Sequence, residues 1–430
     1  MKKLFVILLV LLCSSVLFGK EIIQEPKERC TPETFRIYPW GINMISQGSL
    51  GDIDSYYEEC YDCGFNEAGF LTEQFVSKAK DHNIKVSLYA NNYIDSSIKD
   101  EKARAKDWAE KLNKIIKPED RDSIVQIYIQ DEPTSDDIPR VSAFSKACQE
   151  IVGKSPYINY FPTSSEDEHF GNLTREEYYD QMADACNLDS LSYDCYALYE
   201  DGGFNEFRFY ENIELMRKTA IKHKLPWTNI ILSVGHFNYS LPDDYSINVQ
   251  AWSTLAYGAN GLSYFTFLTP LSGNYRGGAY DKFGNRTPLW YVIRNMNFCI
   301  HNLMPYYKNL SSVNVFHIGN VPKGCNDIKS AKVIKSINPL VKKLNDSRIK
   351  NQKKIKANIV VGEFVGKDGK EYAIIVNKDP KYSVIIDSIS FNKGNKVKHI
   401  KDMSINQPEA DFVGEDRWIA PGHGILLRAD

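Results

Sequence analysis

Strand-like and helix-like segments alternate eight times along the 430-residue chain, and this repeat constrains the fold more than any other feature. The apolar runs that predict strands are separated by amphipathic stretches that predict helices, and they cover residues 35–43, 64–70, 84–90, 124–130, 157–161, 188–196, 229–234 and 261–267. Eight strand–helix units in a row are typical of a closed parallel barrel. A doubly wound open sheet is disfavoured, because no glycine-rich phosphate-binding turn follows any of these runs. We therefore predict an α/β protein with a (β/α)8 TIM barrel over residues 30–308.

The pattern changes after a predicted closing helix at residues 289–303. From residue 311 onward, short apolar runs are separated by Lys-Asp-Gly and Asn-Lys-Gly turns, and these runs cover residues 358–364, 372–377, 383–391 and 424–428. Turns of this kind connect antiparallel strands. The sequence therefore predicts a small C-terminal antiparallel β-sandwich domain over residues 311–430.

The first residues have the pattern of a secretory signal peptide. Met1-Lys2-Lys3 is a charged start, and residues 4–12 form an apolar core that is too short to span a bilayer. We assign residues 1–19 to the signal peptide. The mature protein is expected to be secreted, extracellular or periplasmic, with no membrane contact beyond this segment.

Composition and cysteine spacing disfavour several classes of partner. The net charge of -3 and the pI near 6.3 give no global positive field, which argues against nucleic acid and anionic membranes. Eight cysteines lie beyond the signal peptide, an even number that permits disulfides in an exported protein. Cys60 and Cys63 form a Cys-x-x-Cys pair, but no second pair at zinc spacing accompanies them. No metal and no organic cofactor is predicted.

Two adjacent carboxylates, Asp131 and Glu132, follow the apolar run that predicts the fourth strand, and Pro133 ends that strand. Catalytic groups of (β/α)8 barrels project from the carboxyl ends of the strands. Alternation along a strand would point the two side chains to opposite sides, but a turn of the backbone at the strand end can bring both to the mouth. Glu132 is predicted as the general acid/base, with Asp131 close enough to raise one pKa. The alternative is an ordinary surface turn.

The second catalytic carboxyl has more than one candidate. Asp194 follows the apolar run of the sixth strand and lies two residues before Tyr196. It is predicted as the nucleophile or base, with orientation of a substrate hydroxyl as the alternative. Glu67 is another candidate, although Ala68-Gly69-Phe70 after it indicates a structural role.

The remaining strand ends carry aromatic rings and amides, which bind sugars by stacking and by hydrogen bonds to hydroxyls. His236, at the end of the seventh strand, is expected to bond substrate or to hold a carboxylate. The predicted substrate-binding residues are Tyr38, Trp40, Asn43, Asn91, Asn159, Tyr196, His236, Asn238 and Tyr264.

These motifs resemble those of glycoside hydrolases built on (β/α)8 barrels, particularly the family 42 β-galactosidase-like proteins. The likeness rests on Gln130-Asp-Glu-Pro133, where those families place Asn-Glu-Pro with Glu as acid/base, and on residues 255–266. Val361-Gly-Glu-Phe364 and Ala420-Pro-Gly-His-Gly424 resemble parts of their accessory domains. The resemblance implies a secreted glycoside hydrolase that cleaves O-glycosidic bonds of an oligo- or polysaccharide.

The chain departs from that family at the seventh strand, where the family carries a nucleophilic Glu and residues 232–238 contain no carboxylate. The adjacent Asp131 and Glu132 also resemble the pair of N-acetylhexosaminidases, in which Asp orients the substrate's own acetamido group and Glu protonates the leaving group. Other barrel glycosidases pair carboxyls from strands 4 and 6, which would join Glu132 to Asp194. A non-catalytic carbohydrate-binding barrel is the alternative outside the enzymes.

Overall fold

The computed structural model describes residues 25–42, 44–201, 203–342 and 355–430, so the predicted signal peptide lies outside the described residues. The predicted barrel is confirmed. Its strands, all parallel, are β1 Arg36–Pro39, β2 Glu67–Leu71, β3 Lys85–Tyr89, β4 Ile124–Asp131, β5 Ser155–Tyr160, β6 Leu191–Asp194, β7 Trp227–Leu232 and β8 Gly261–Phe265. They pair in the order β1, β8, β7, β6, β5, β4, β3, β2, and a parallel bridge between Ile42 and Phe70 brings the two ends of the sheet together.

Helices connect the strands on the outside of the barrel, as the alternating pattern requires. A short helix, Met44–Gln47, follows β1, and a 3₁₀ helix, Glu73–His82, connects β2 to β3. The longer helices are α1 Ile53–Asp62, α2 Glu101–Ile115, α3 Ile138–Ala147, α4 Arg175–Cys186, α5 Glu206–His223, α6 Asp244–Ala256 and α7 Pro288–Tyr307. Side chains that accept a hydrogen bond from a first-turn N–H fix several of these starts, namely Asp52, Asp100, Thr174, Asn205 and Asp243. Among the described residues, no helix is long and apolar enough to cross a membrane.

Side chains fill the barrel from its amino-terminal end. Arg36 forms an ion pair with Glu67 at 2.8 Å, and both are hydrogen-bonded to Ser87. Above this pair lies a layer of buried side chains that includes Tyr38, Trp40, Phe70, Tyr128 and Tyr157. Glu67 begins β2 and has no exposed surface, so it stabilises the barrel floor and is not a candidate for the second catalytic carboxyl. The open end of the barrel is the carboxyl end of the strands.

The C-terminal part is the predicted antiparallel β-sandwich. A six-stranded sheet has the order β9, β11, β12, β17, β14, β15, and a three-stranded sheet has the order β10, β13, β16. The strands are β9 Leu310–Ile318, β10 Ile334–Leu340, β11 Ile359–Gly366, β12 Glu371–Asn377, β13 Val384–Phe391, β14 Val397–Ile400, β15 Glu409–Asp411, β16 Trp418–Ile419 and β17 Gly424–Ala429. A separate apolar core between the sheets includes Phe316, Val361, Ile375, Ile386 and Leu427.

The sandwich packs on the barrel through close backbone contact and buried polar pairs. A side chain at Gly362 would overlap the backbone of Ala256 at the end of α6. The buried ammonium of Lys378 lies 3.1 Å from the Glu206 carboxylate at the start of α5. These contacts lie on the helical side of the barrel and help to hold the sandwich against it.

Candidate active site

A bulge in β4 places Asp131 at the barrel mouth. The pairing of β4 with β5 shifts register between Tyr128 and Gln130, so strict alternation is interrupted there. Tyr128 lies among the interior rings, whereas the side chain of Gln130 bonds to Asp137 and Arg140 around the start of α3. Asp131 then turns back to the interior, where it bonds to β5.

The backbone of Glu132 brings the second carboxyl to the same place. Glu132 has a φ of +45°, in the left-handed region that few residues other than glycine adopt. Its backbone N–H donates to the carbonyl of Asn159 at 2.9 Å, which holds the turn against β5. Strain of this kind is concentrated at functional sites, where surrounding structure sustains it. The bulge and this turn together explain how adjacent residues of one strand reach one pocket.

Asn159 on β5 joins the carboxyls of two strands. Its amide nitrogen donates to Asp131 Oδ1 at 3.0 Å and to Asp194 Oδ1 at 2.6 Å. Two hydrogen bonds to one nitrogen keep these two oxygens within about 6 Å of one another. Asn159 is 1% exposed, so its predicted role in substrate binding is replaced by a role in positioning the two carboxyls.

A chain of hydrogen bonds orients this amide from below. Trp40 Nε1 donates to the Tyr157 hydroxyl at 2.9 Å, and that hydroxyl is 2.9 Å from Ser192 Oγ. Ser192 Oγ in turn donates to Asn159 Oδ1 at 3.2 Å. Because the Asn159 oxygen is already occupied, its NH2 group must face the carboxyls. Trp40, which was predicted to bind substrate, thus also belongs to the support of the site.

Burial raises the pKa values of all three carboxyls, and repulsion from neighbouring carboxylates adds to the shifts of Glu132 and Asp194. Burial raises the pKa of Asp131 to about 6, although the Asn159 hydrogen bond acts in the opposite direction. Burial, followed by the charges of Asp194 and Asp131, raises the pKa of Glu132. Burial and the charge of Asp131 raise the pKa of Asp194 against the hydrogen bond from Asn159. Near neutral pH the cluster therefore holds protons and negative charge together, as general acid catalysis requires.

An aromatic wall stands beside the carboxyls. The ring of Tyr196 stacks on Phe265 at 5.3 Å and meets His236 edge-on at 5.8 Å. His236 Nδ1 lies 3.2 Å from the carbonyl of Val234, so Nδ1 carries the proton, and burial lowers the pKa of the imidazole. The ring is then neutral near pH 7 and keeps Nε2 as an acceptor.

Other predicted binding residues lie at different depths. Asn91, two residues after the end of β3, is partly exposed and donates to the carbonyl of Ile129 at 3.3 Å, and Asn238 is exposed after β7. Asn43 lies outside the described residues. These placements leave Asn91 and Asn238 accessible from the barrel mouth.

Two predicted binding residues have no access to the mouth. Tyr38 has no exposed surface and packs below the site, edge-on against Phe70. Tyr264 is equally buried, and its hydroxyl donates to Asn297 of α7 at 2.7 Å, on the outside of the barrel. Both predictions are corrected. Tyr38 lies in the buried layer below the carboxyls, and the side chain of Tyr264 points to the outside of the barrel.

The sequence prediction missed two rings of the wall, Phe265 and Tyr275. Phe265 follows Tyr264 in β8, and adjacent residues of a strand point to opposite faces. Once Tyr264 is known to point outward, Phe265 is expected to point into the barrel. Tyr275 lies in the long loop after β8 and stacks on His236 at 5.2 Å. No periodicity marks a loop residue, so only its position after a barrel strand could have suggested Tyr275.

The eight cysteines beyond the predicted signal peptide are free thiols. Cys60 and Cys63 are fully buried, and burial raises the pKa of both thiols far above the usual value. In the described ranges, no group of three or more His, Cys, Asp or Glu is placed to hold a metal ion.

No protein-family model and no curated protein matches the sequence. Solved structures do match. A family 39 glycoside hydrolase from the gut symbiont Bacteroides cellulosilyticus WH2 has a TM-score of 0.53 and 11% identity over 94% of this chain and 82% of that chain. The endo-β-1,4-mannanase from Thermotoga petrophila has a TM-score of 0.44 and 12% identity over 83% of this chain and 97% of that chain.

The β-galactosidase from the Antarctic haloarchaeon Halorubrum lacusprofundi has a TM-score of 0.46 and 8% identity, over 62% of this chain and 58% of that chain. At identities this low a likeness shows the fold alone. The likeness to the family 39 enzyme, at a TM-score of 0.53, therefore supports the fold of this chain, a (β/α)8 barrel followed by a β-sandwich.

Proposed function

We propose that the protein is a glycoside hydrolase in which Glu132 is the general acid. Burial and the neighbouring charges keep a proton on Glu132 near neutral pH. When the glycosidic C–O bond breaks, that proton passes to the leaving oxygen, and the ionised Glu132 is ready to accept one in the next step.

Asp194 supplies the second carboxyl in this proposal. It ends β6 and is tied through Asn159 to Asp131, next to Glu132. Once ionised, it either attacks the anomeric carbon, which gives retention, or takes a proton from the attacking water, which gives inversion. The first-formed anomer, followed by ¹H NMR, distinguishes these two roles.

One observation carries the proposal: three carboxyls with raised pKa values meet at the open end of a barrel, around one buried amide. A cluster that only stabilised the fold would be paired with cations, as Glu67 is with Arg36. The rings of Tyr196 and Phe265 beside it offer flat apolar faces for a sugar. A carbohydrate is therefore the substrate class that we propose.

The placement of Asp131 favours a second candidate, a substrate-assisted N-acetylhexosaminidase. Both Asp131 and Glu132 are turned to the mouth, and the Asn159 hydrogen bond holds Asp131 in place. In that mechanism Asp131 would orient the 2-acetamido group, whose oxygen replaces an enzymic nucleophile. The end of β7, with His236 in place of a carboxylate, is compatible with either candidate.

Export and family assignment are also part of the proposal. The charged start and apolar core at residues 1–12 support secretion. The likeness to family 42 rests on residues 130–133 and 255–266 and stays a prediction.

The test is a screen of the mature protein against aryl glycosides with and without a 2-acetamido group. On unactivated phenyl glycosides, whose leaving oxygen needs a proton, Glu132→Gln should reduce turnover by at least about a hundredfold. Glu110→Gln, on the exposed face of α2, is the matched control and should have no effect. Turnover restricted to acetamido substrates would favour the second candidate, and Glu132-independent turnover would refute both.

The third outcome is binding without turnover. In this outcome the wild type binds a sugar but hydrolyses no substrate, and Glu132→Gln binds that sugar with the same affinity. Such a result would identify the protein as a non-catalytic carbohydrate-binding barrel.

A further inference from the structure

The loop after β7 holds a phenylalanine ring in solvent. Phe237 is 70% exposed and has a φ of +44°, in the left-handed region that is unusual for a residue with a bulky side chain. The side chain of Asn274, in the loop after β8, accepts from the Phe237 N–H at 3.0 Å and donates to the Phe237 carbonyl at 3.3 Å. The backbone at Phe237 is therefore strained, and two hydrogen bonds with the Asn274 side chain hold it in place. The apolar ring fixed in this way buries little surface.

The two loops that hold this ring are joined to one another. Gly235 and Arg276 exchange backbone hydrogen bonds of 2.9 Å in both directions, and the Arg276 guanidinium bonds to Glu200 and to the carbonyl of Tyr239. The Phe237 ring therefore projects from a braced edge of the barrel mouth rather than from a loose loop.

A continuous series of rings leads from the carboxyls to Phe237. Trp40 contacts Phe265 at 5.5 Å, and Phe265 contacts His236 at 5.2 Å. His236 in turn contacts Phe237 at 5.2 Å. Tyr196, two residues after Asp194, stacks on the middle of this series. Trp40 and His236 are buried, at 9% and 4% exposed, and Phe265 is partly exposed, whereas Phe237 at the end of the series is 70% exposed.

We propose that the accessible rings of this wall, the partly exposed Tyr196, Phe265 and Tyr275, form the binding path of a neutral oligosaccharide chain, with Phe237 as the stacking platform for a sugar beyond the two that flank the cleaved bond. This inference rests on the proposed glycoside hydrolase function and specifies its substrate as a chain. Aromatic rings at the barrel mouth can stack on the flat faces of successive sugars. An anionic chain is disfavoured, because it would meet the carboxyls of Asp131, Glu132 and Asp194.

The test compares Phe237→Ala and Phe237→Trp on two substrates of one sugar, a p-nitrophenyl monoglycoside and the p-nitrophenyl glycoside of its trisaccharide. We expect Phe237→Ala to lower the ratio of kcat/KM on the longer substrate to that on the shorter by roughly three- to tenfold. Phe237→Trp should preserve that ratio, because it keeps a stacking face. Ile221→Ala, 53% exposed in the last turn of α5 at the other end of the barrel, is the control.

A second measurement separates this inference from the proposed catalysis. The Glu132→Gln protein, with and without Phe237→Ala, is run through native gels that contain galactomannan, xylan or mixed-linkage β-glucan. Phe237-dependent retardation by one of these polymers supports the path even when the wild type hydrolyses nothing. An unchanged ratio together with the absence of Phe237-dependent retardation would overturn the inference.

Discussion

Asp131 is expected to destabilise the folded protein at neutral pH, so Asp131→Asn should be more stable than the wild type. In the unfolded chain this carboxyl ionises above its ordinary pKa of 3.8, whereas burial in the folded protein raises the pKa to about 6. Between these values the folded state binds more protons than the unfolded state. Stability contributed by the protonated group is therefore lost as the pH rises through this window.

The size of the effect follows from the two pKa values. A pKa raised from 3.8 to about 6 corresponds to about 3 kcal/mol of unfolding free energy at pH 7. Asp131→Asn keeps the shape of the side chain and its acceptor for Asn159 but cannot ionise. We expect the variant to be more stable than the wild type by about 3 kcal/mol at pH 7 and equally stable at pH 3.

Urea unfolding at pH 3 and pH 7, followed by tryptophan fluorescence, measures this difference. Five of the six tryptophans lie within residues 30–308, so the signal reports mainly on the barrel. Asp137→Asn is the control, and its stability at pH 7 should change in the opposite direction. Burial raises the pKa of Asp137, but hydrogen bonds from Arg140 and Thr134 outweigh burial and lower it, so the ionised carboxylate stabilises the fold. Equal stabilisation of Asp131→Asn at both pH values, or none at pH 7, would contradict a raised pKa of Asp131 in the folded protein.

Three further predictions concern the carboxyls and the thiols. The pH dependence of kcat/KM should be bell-shaped, with activity lost at high pH as Glu132 releases its proton, and a profile that keeps rising would contradict this role. Asn159→Ala removes the hydrogen bonds that lower the pKa values of Asp131 and Asp194, so the acidic limb of that profile should move to higher pH; an unmoved limb would count against positioning by Asn159. Without reductant, all eight cysteines beyond the predicted signal peptide should react with a thiol reagent in guanidinium chloride, and the six buried ones should resist it in buffer; fewer than eight reactive thiols would indicate disulfides.

The fold and the carboxyl cluster could be predicted because they follow from periodicity. Each apolar run becomes a barrel strand, and every barrel strand ends on the same side, so Asp131, Glu132 and Asp194 were expected at one end of the barrel. The predicted bounds of β1 and β6 differ by a few residues from the observed ones, because each apolar run continues beyond the residues that pair with the neighbouring strands. Glu67 is the first residue of β2, which begins three residues later than its apolar run, so its carboxyl lies at the floor of the barrel and not at the mouth.

The orientation of individual side chains could not be predicted, because it depends on local backbone irregularities. The bulge before Gln130 and the left-handed turn at Glu132 leave no periodic signal, although both decide where the carboxyls point. The choice of Tyr264 over Phe265 was an error of one residue in the alternation of β8. The position of Asn159 between two carboxyls depends on how far the strands of the barrel are staggered, which hydrophobic pattern does not specify.

The most direct test of the central claim is the leaving-group dependence of Glu132→Gln. A general acid matters only when the leaving oxygen needs a proton, as it does for an alkyl or sugar alcohol but not for dinitrophenolate. We expect Glu132→Gln to lower kcat/KM by about a thousandfold on a substrate with a poor leaving group and by less than about tenfold on the 2,4-dinitrophenyl glycoside. An equal loss on both substrates, or no loss on either, would contradict the assignment of Glu132 as the acid.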